Sequence, residues 1–234
     1  MSKIYRATHV GNVRKNNEDA LIVIEPETFV VADGMGGQAA GEVASQMLVE
    51  TVKNFLPLVP EPWSEEILKK SIIESNAAIL KKARENPQLQ GMGTTATILH
   101  LYQSQAHFAH IGDSRLYRLR NLIFEQITED DSYVETLVRS GNITPEEAQV
   151  HPMKNVLTQA VGAVDDIEVE TGNFSVERGD IYLLCTDGLT NMVSDFDIGK
   201  ILLESESPAD DLIQAALDGG GHDNISVIVV KVEV

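Results

Sequence analysis

Residues 28–45 read TFVVADGMGGQAAGEVAS. Phe29-Val30-Val31-Ala32 has the apolar, β-branched character of a short buried strand. Asp33 follows, then three glycines within four positions, then small residues leading into a helical pattern. A tight turn accounts for an Asp-Gly pair after a strand. The sharper reading is that a positively charged group approaches the backbone at this point.

Outward from this stretch, further apolar runs rich in β-branched residues occupy 20–24, 95–101, 106–111, 116–120, 181–185 and 225–232. Several are separated by hairpin-length gaps, which predicts mainly antiparallel pairing. Helical spacing of Val43, Met47, Val52 and Phe55 predicts a helix over 41–55, and Ile67, Leu68, Ile72, Ile79 and Leu80 predict another over 64–84. Ser64 is the expected N-cap of the second, with Glu65 and Glu66 suiting the positive end of its dipole. Thr144-Pro145-Glu146-Glu147 combines a capping box with a first-turn proline. A helix opening at Ser207-Pro208 is expected to stop at Gly219-Gly220-Gly221. The fold class is therefore α+β: a four-layer α-β-β-α sandwich of two mainly antiparallel sheets flanked by helices. The more polar segment 131–160 is expected to form a helical flap, and 1–234 a single domain.

The chain has 234 residues, 43% hydrophobic and 5% aromatic, so its core rests on Val, Ile, Leu and Ala. A formal charge of −18 gives no electrostatic reason to bind nucleic acid or an anionic membrane. The lone cysteine, Cys185, excludes an internal disulfide, and its apolar setting predicts a buried core residue. No run approaches the roughly 18 apolar residues of a membrane span, and the first ten residues have no apolar secretory region. These features predict a cytoplasmic protein without membrane insertion, with a monomer as the default state.

Five aspartates share one feature. Asp33, Asp113 and Asp187 follow apolar runs, and Asp19 and Asp223 precede them. Antiparallel pairing brings the end of one strand beside the start of the next, so the five can converge at one edge of a sandwich. Converging carboxylates repel unless protonated or neutralised. An oxygen-only set favours Mg²⁺ or Mn²⁺, and two such ions about 4 Å apart suit hydrolysis of phosphate esters. The Gly34 carbonyl can join the coordination, and Arg14 can pair bidentately with a phosphate.

Six segments then stand in order: Arg14-Lys15-Asn16-Asn17-Glu18-Asp19, Val31-Ala32-Asp33-Gly34-Met35-Gly36-Gly37, Gly91-Met92-Gly93-Thr94-Thr95, His110-Ile111-Gly112-Asp113-Ser114-Arg115, Thr186-Asp187-Gly188-Leu189-Thr190 and Asp223-Asn224. Together they resemble the metal-dependent protein phosphatases, the type-2C serine/threonine phosphatases, in their short bacterial branch. The resemblance spans essentially the whole chain. It implies two core Mn²⁺ or Mg²⁺ ions and a metal-activated water that attacks phosphoserine or phosphothreonine directly. It further implies that Asp33 bridges both ions, that Gly34 gives its carbonyl, that Asp187 and Asp223 hold one ion, and that Asp19 contacts the other mainly through water. Asp113 with Asp187 become the candidates for a third ion, and Arg14 holds the substrate phosphate. Asn224 orients Asp223, and Glu18 supports waters or Arg14. Gly36 and Gly37 permit a tight turn, while Leu189 and Thr190 pack. The implied partners are phosphoserine and phosphothreonine proteins and a cognate serine/threonine kinase.

Three positions depart from the pattern. Met35 stands where some relatives carry a histidine proposed as general acid, which leaves a metal-bound water as proton donor. Asp131 stands where relatives often carry a histidine at the flap entrance, bearing on the third ion or on substrate handling. Gln38 also replaces a histidine, at the surface. His222, beside Asp223, invites a proton-shuttle reading against a plain solvated loop histidine. Other readings are a regulator-type phosphatase for an anti-sigma-factor antagonist, a non-catalytic phosphoprotein-binding pseudophosphatase, and a two-metal nuclease. The last conflicts with 36 acids against 18 basic residues.

Overall fold

In the computed structural model, which describes residues 2–25, 27–36 and 40–233, the apolar runs pair into two sheets. In chain order the elements are β1 (Ser2–His9), β2 (Asp19–Ile24), β3 (Thr28–Met35), α1 (Ala40–Phe55), α2 (Glu65–Glu85), β4 (Gly93–Thr94), β5 (Ala96–Tyr102), β6 (Gln105–Ile111), β7 (Arg115–Arg120), β8 (Ile123–Gln126), α3 (Tyr133–Arg139), α4 (Pro145–Gln149), β9 (Glu170–Ser175), β10 (Ile181–Cys185), α5 (Asp187–Thr190), α6 (Asp195–Glu204), α7 (Pro208–Asp218) and β11 (Ile225–Val232). One sheet has the order β1-β11-β10-β7-β8. The other has β2-β3-β5-β6-β9, with β4 added to β3. Every strand pair is antiparallel, as expected.

The sheets pack face to face through Phe29, Val31, Leu99 and Phe108 on one side and Leu116, Tyr182, Leu184 and Ile228 on the other. Each sheet's outer face is covered by helices, α1 and α2 over Val30, Ala32 and Ile98, α6 and α7 over Leu183, Val227 and Val229. The result is the expected four-layer sandwich. Cys185, the last residue of β10, is fully buried beneath the α6–α7 layer. Burial pushes its thiol up to about 12, so it stays a protonated core residue.

The structure differs from the expectation in several elements. In α1 the buried face is Ala44, Leu48 and Val52 with Ala40, Gly41 and Ser45, while Val43, Met47 and Phe55 are half-buried at its rim. Small residues win the inner face because helix and sheet backbones nearly touch there. A β-carbon on Gly34 would overlap the Gly41 carbonyl. Burying Leu48 contributes about 2 kcal/mol of hydrophobic stabilisation. Ser64 occupies the N-cap position of α2, but its side chain makes no capping hydrogen bond. The Thr144 capping box forms as expected, and α7 ends at Gly219. β1 has no matching apolar run because it is an edge strand with a mixed burial pattern. Segment 131–160 carries the two short helices α3 and α4. Gly37 and Gln38 lie outside the described residues. Among the described residues, no helix is long and apolar enough to cross a membrane.

Candidate metal centre

Register brings the acids together. β2 and β3 pair so that Asp19 lies directly opposite Asp33. Residues so placed have β-carbons about 5 Å apart, and like charges there are destabilising. Asp33 does not end its strand as the apolar run suggested. β3 continues through Met35, because Gly34 and Met35 pair with Thr94 and Gly93 of β4. Asp33 is therefore held by strand geometry rather than by a turn. Its N–H donates to Thr95 Oγ1 at 2.9 Å, and its carbonyl accepts from the Thr95 N–H and the Thr94 hydroxyl, both at 2.9 Å.

The other sheet supplies Asp187 and Asp223. Asp187 opens the one-turn helix α5 after β10, and Asp223 precedes β11, the neighbour of β10. The Thr186 hydroxyl donates to Asp19 Oδ2 at 2.9 Å and accepts from the Ser226 N–H at 3.0 Å. That single hydroxyl ties the two sheets together at the acidic edge. Asp113 comes from the turn between β6 and β7.

A cleft of about 200 Å³ opens over this edge, lined by Arg14, Glu18, Asp33, Gly34, Met35, Asp113, Asp187, Asp223 and Asn224, with Asn155 and Leu157 from segment 131–160. Asp19 lies beneath its floor, only 5% exposed. A larger hollow of about 850 Å³ adjoins the cleft and shares Asp113, Asn155 and Asp187 with it. The candidate metal ligands, Arg14, Glu18 and Asn224 thus converge on one place.

Electrostatically the cluster is under strain. Burial pushes the Asp19 carboxyl up to about 7, against the hydrogen bonds from Ser226 and Thr186, and the charges of Asp187 and Asp223 add to the rise. Burial and then the Asp223 charge push Asp187 up to about 6. Asp33 and Asp113 are held well above the carboxylate range, first by burial, then by their acidic neighbours. Asp19 Oδ1 and Asp187 Oδ1 are buried and have no hydrogen-bond partner. Orphaned buried carboxylate oxygens are costly unless a proton or a cation meets them.

Among the described residues, no group of three or more His, Cys, Asp or Glu side chains forms a ready-made metal cage. Hydrogen bonding accounts for the spread: Asp223 is turned to Arg14 (2.7 Å), Asp187 to Asn191 Nδ2 (2.8 Å) and Asp19 to Thr186. The all-oxygen donor set and its two orphaned oxygens fit hard divalent cations. These carboxylates repel one another, and a cation between them reverses the repulsion.

The neighbouring residues have clear tasks. Asn224 meets Asp223 through its backbone N–H, which donates to Asp223 Oδ1 at 2.8 Å. Its side chain instead organises the loop that carries Arg14. Nδ2 donates to the carbonyls of Val10 and Asn16 at 2.9 Å, and Oδ1 accepts from the Glu18 N–H at 2.8 Å. The Glu18 carbonyl accepts from Gly34 N–H at 3.1 Å and from the Ser45 hydroxyl at 2.6 Å. Met35 lines the cleft as a thioether, which donates no proton. Asp131 does not line it; its carboxylate accepts from the Gly112 N–H at 3.0 Å. His222 is exposed and is not part of the cleft wall. Leu189 packs in the core and Thr190 closes the local turn, as expected.

Sequence reasoning missed Asn155, Leu157, Thr186 and Asn191. Asn155 and Leu157 sit in an aperiodic stretch with no local signal. Asn191, four residues after Asp187, becomes visible once α5 is known to be helical.

Known proteins share this arrangement. The family model described as protein phosphatase 2C matches residues 9–221. The serine/threonine phosphatase stp of Listeria monocytogenes serovar 1/2a is 40% identical over 235 residues, covering 96% of this chain and 93% of the relative. The crystal structure of the Mycobacterium tuberculosis serine/threonine phosphatase PstP/Ppp superposes with a TM-score of 0.94 at 39% identity, covering 100% of this chain and 99% of that one. The catalytic domain of PstP in complex with two manganese ions gives 0.92 at 38% identity, with the same coverage. A family match over most of the length, on a superposable sandwich with the acids at its edge, leaves one assignment: the chain belongs to the protein phosphatase 2C family.

Proposed function

We propose that the acidic edge holds two divalent cations, Mn²⁺ or Mg²⁺, and that the chain hydrolyses phosphoserine and phosphothreonine esters in proteins. Family membership makes it a metal-dependent protein-serine/threonine phosphatase. The observation that carries the assignment of the site is the pair of buried, unpartnered oxygens on Asp19 and Asp187. In this reading Asp33, the Gly34 carbonyl, Asp187 and Asp223 would hold the ions, with Asp19 serving them from beneath. Asp113 with Asp187 would be the pair for a third. Such ions supply Lewis acidity and lower the pKa of bound water.

The chain's own residues do the rest. Arg14, now paired with Asp223, is exposed and free to swing onto the substrate phosphate, exchanging one carboxylate for two phosphate oxygens. Glu18 and Asn224 hold the loop that aims it. Thr94 and Thr95 fix the Asp33 backbone, so the carboxylate cannot retreat from its neighbours. Residues 1–234 act as one catalytic domain with 131–160 as a flap over the cleft. A cognate serine/threonine kinase, a cytoplasmic location and a monomeric state complete the proposal. The pseudophosphatase reading is disfavoured by the full set of five acids.

Hydrolysis of a phosphothreonine peptide tests this reading. Release of phosphate is expected with Mn²⁺ and with Mg²⁺ and is expected to vanish in chelator. Activity that persists in chelator, or a folded, metal-loaded protein with none, would overturn it.

A further inference from the structure

Asp113 sits in the β6–β7 turn, and the two acids at the base of segment 131–160 grip that turn on either side. Asp130 clasps Arg115, with Nε to Oδ1 at 2.9 Å and Nη2 to Oδ2 at 2.7 Å. Asp131 clasps Gly112 twice. Its N–H donates to the Gly112 carbonyl at 2.7 Å, and its Oδ2 accepts from the Gly112 N–H at 3.0 Å.

Gly112 has a φ of +107°, and a β-carbon there would lie 2.6 Å from the Thr95 side chain. The turn is therefore built hard against Thr95. The Thr95 hydroxyl shares a 2.7 Å hydrogen bond with Ser114 and accepts from the Asp33 N–H. Asp131 is also where the two arms of segment 131–160 meet. Its carbonyl accepts from the Thr158 N–H at 2.7 Å, and the next residue, Ser132, bridges to Leu157. Leu157 in turn lines the acidic cleft.

We propose that Asp131 is a positioning residue: its carboxylate locks the Gly112–Asp113 turn to the base of segment 131–160, so that Asp113 and the cleft wall formed by Asn155 and Leu157 keep one relative placement. Asp131 touches neither substrate nor the acidic cleft. It acts through Gly112 on one side and Thr158 on the other. Its consequence for turnover rests on the phosphatase reading above, but the clamp itself does not.

Amide hydrogen exchange, read by NMR on the chelator-treated protein, tests the clamp without metal or substrate. In Asp131→Ala the Gly112 amide is expected to exchange about tenfold faster or more, together with amides across 132–158, because a bonded donor is set free. Asp131→Asn retains an acceptor oxygen and is expected to stay near wild type. Ile72→Val, in α2 on the outer face of the sheet that contains β6, lowers general stability and should leave these amides in step with the rest. With Mn²⁺, Asp131→Ala should raise KM for a phosphopeptide severalfold more than it lowers kcat on p-nitrophenyl phosphate. Wild-type exchange rates at Gly112 in a folded Asp131→Ala protein would overturn the proposal. Should that variant not fold, an unprotected Gly112 amide in the wild-type protein would overturn it equally. A protected amide that exchanges freely only when Asp131 is changed supports the clamp even if phosphatase activity is absent.

Discussion

Asp33→Asn is expected to lower kcat/KM on a phosphothreonine peptide by about a thousandfold or more, and at the same time to raise the melting temperature of the chelator-treated protein. The two effects have one cause. Asp33 is half-buried beside Asp19, Asp187, Asp113 and Asp223, and its carboxyl is held well above the ordinary range by desolvation and by their repulsion. Without cations its charge destabilises the fold; in the proposed site it would be one of the groups that hold them. Losing metal-based stabilisation of the transition state costs several kcal/mol, and each 1.4 kcal/mol is a factor of about ten in rate. Replacing the charge by an isosteric amide removes the repulsion and is expected to raise the melting temperature by a few degrees. Steady-state kinetics and thermal melts in chelator check the pair. A variant that loses activity and metal-free stability together would assign Asp33 a merely structural part.

The second large effect is the pH dependence of metal-free stability. The folded Asp19 carboxyl titrates near 7, far above an unfolded aspartate near 4. Between those values the folded state binds the extra proton, so stability falls as pH rises through the window and levels off above about 7. For Asp19 alone the loss is at most about 4 kcal/mol. Asp187, near 6, adds in the same direction. Two buried histidines oppose it. Burial lowers His100 and His110 to about 4, so their contribution is lost as pH falls below about 6.5. Comparing wild type with Asp19→Asn in chelator cancels the histidines. The variant is expected to be the more stable at pH 8 and nearly equal at pH 4 and below. Saturating Mn²⁺ should reverse the wild-type slope, since ions compete with protons for the same oxygens. Equal slopes with and without Mn²⁺ would show that the acids do not bind it.

Much of this was legible in the chain because the signals were local. Continuous apolar runs such as 181–185 and 225–232 mark central strands covered on both faces. Acids at the borders of those runs became one site through antiparallel register, which sets Asp19 against Asp33. What stayed hidden depends on packing. β1 lies at an edge and carries polar residues on its open side. The inner face of α1 pairs Leu48 and Val52 with small residues where Gly34 and Gly41 approach closely, which Val43, Met47 and Phe55 do not reveal. The inter-sheet link through Thr186 and the cleft wall at Asn155 and Leu157 arise from contacts between distant segments. No spacing rule encodes those.

Calorimetric titration of Mn²⁺ into the chelator-stripped protein, in buffers of differing ionisation heat, tests the central claim most directly. The account predicts at least two ions per chain, release of protons on binding near pH 7, and loss of the tight sites in Asp33→Asn. Binding of one ion or none, or binding that Asp33→Asn leaves unchanged, would contradict the assignment of the acidic edge as the metal centre.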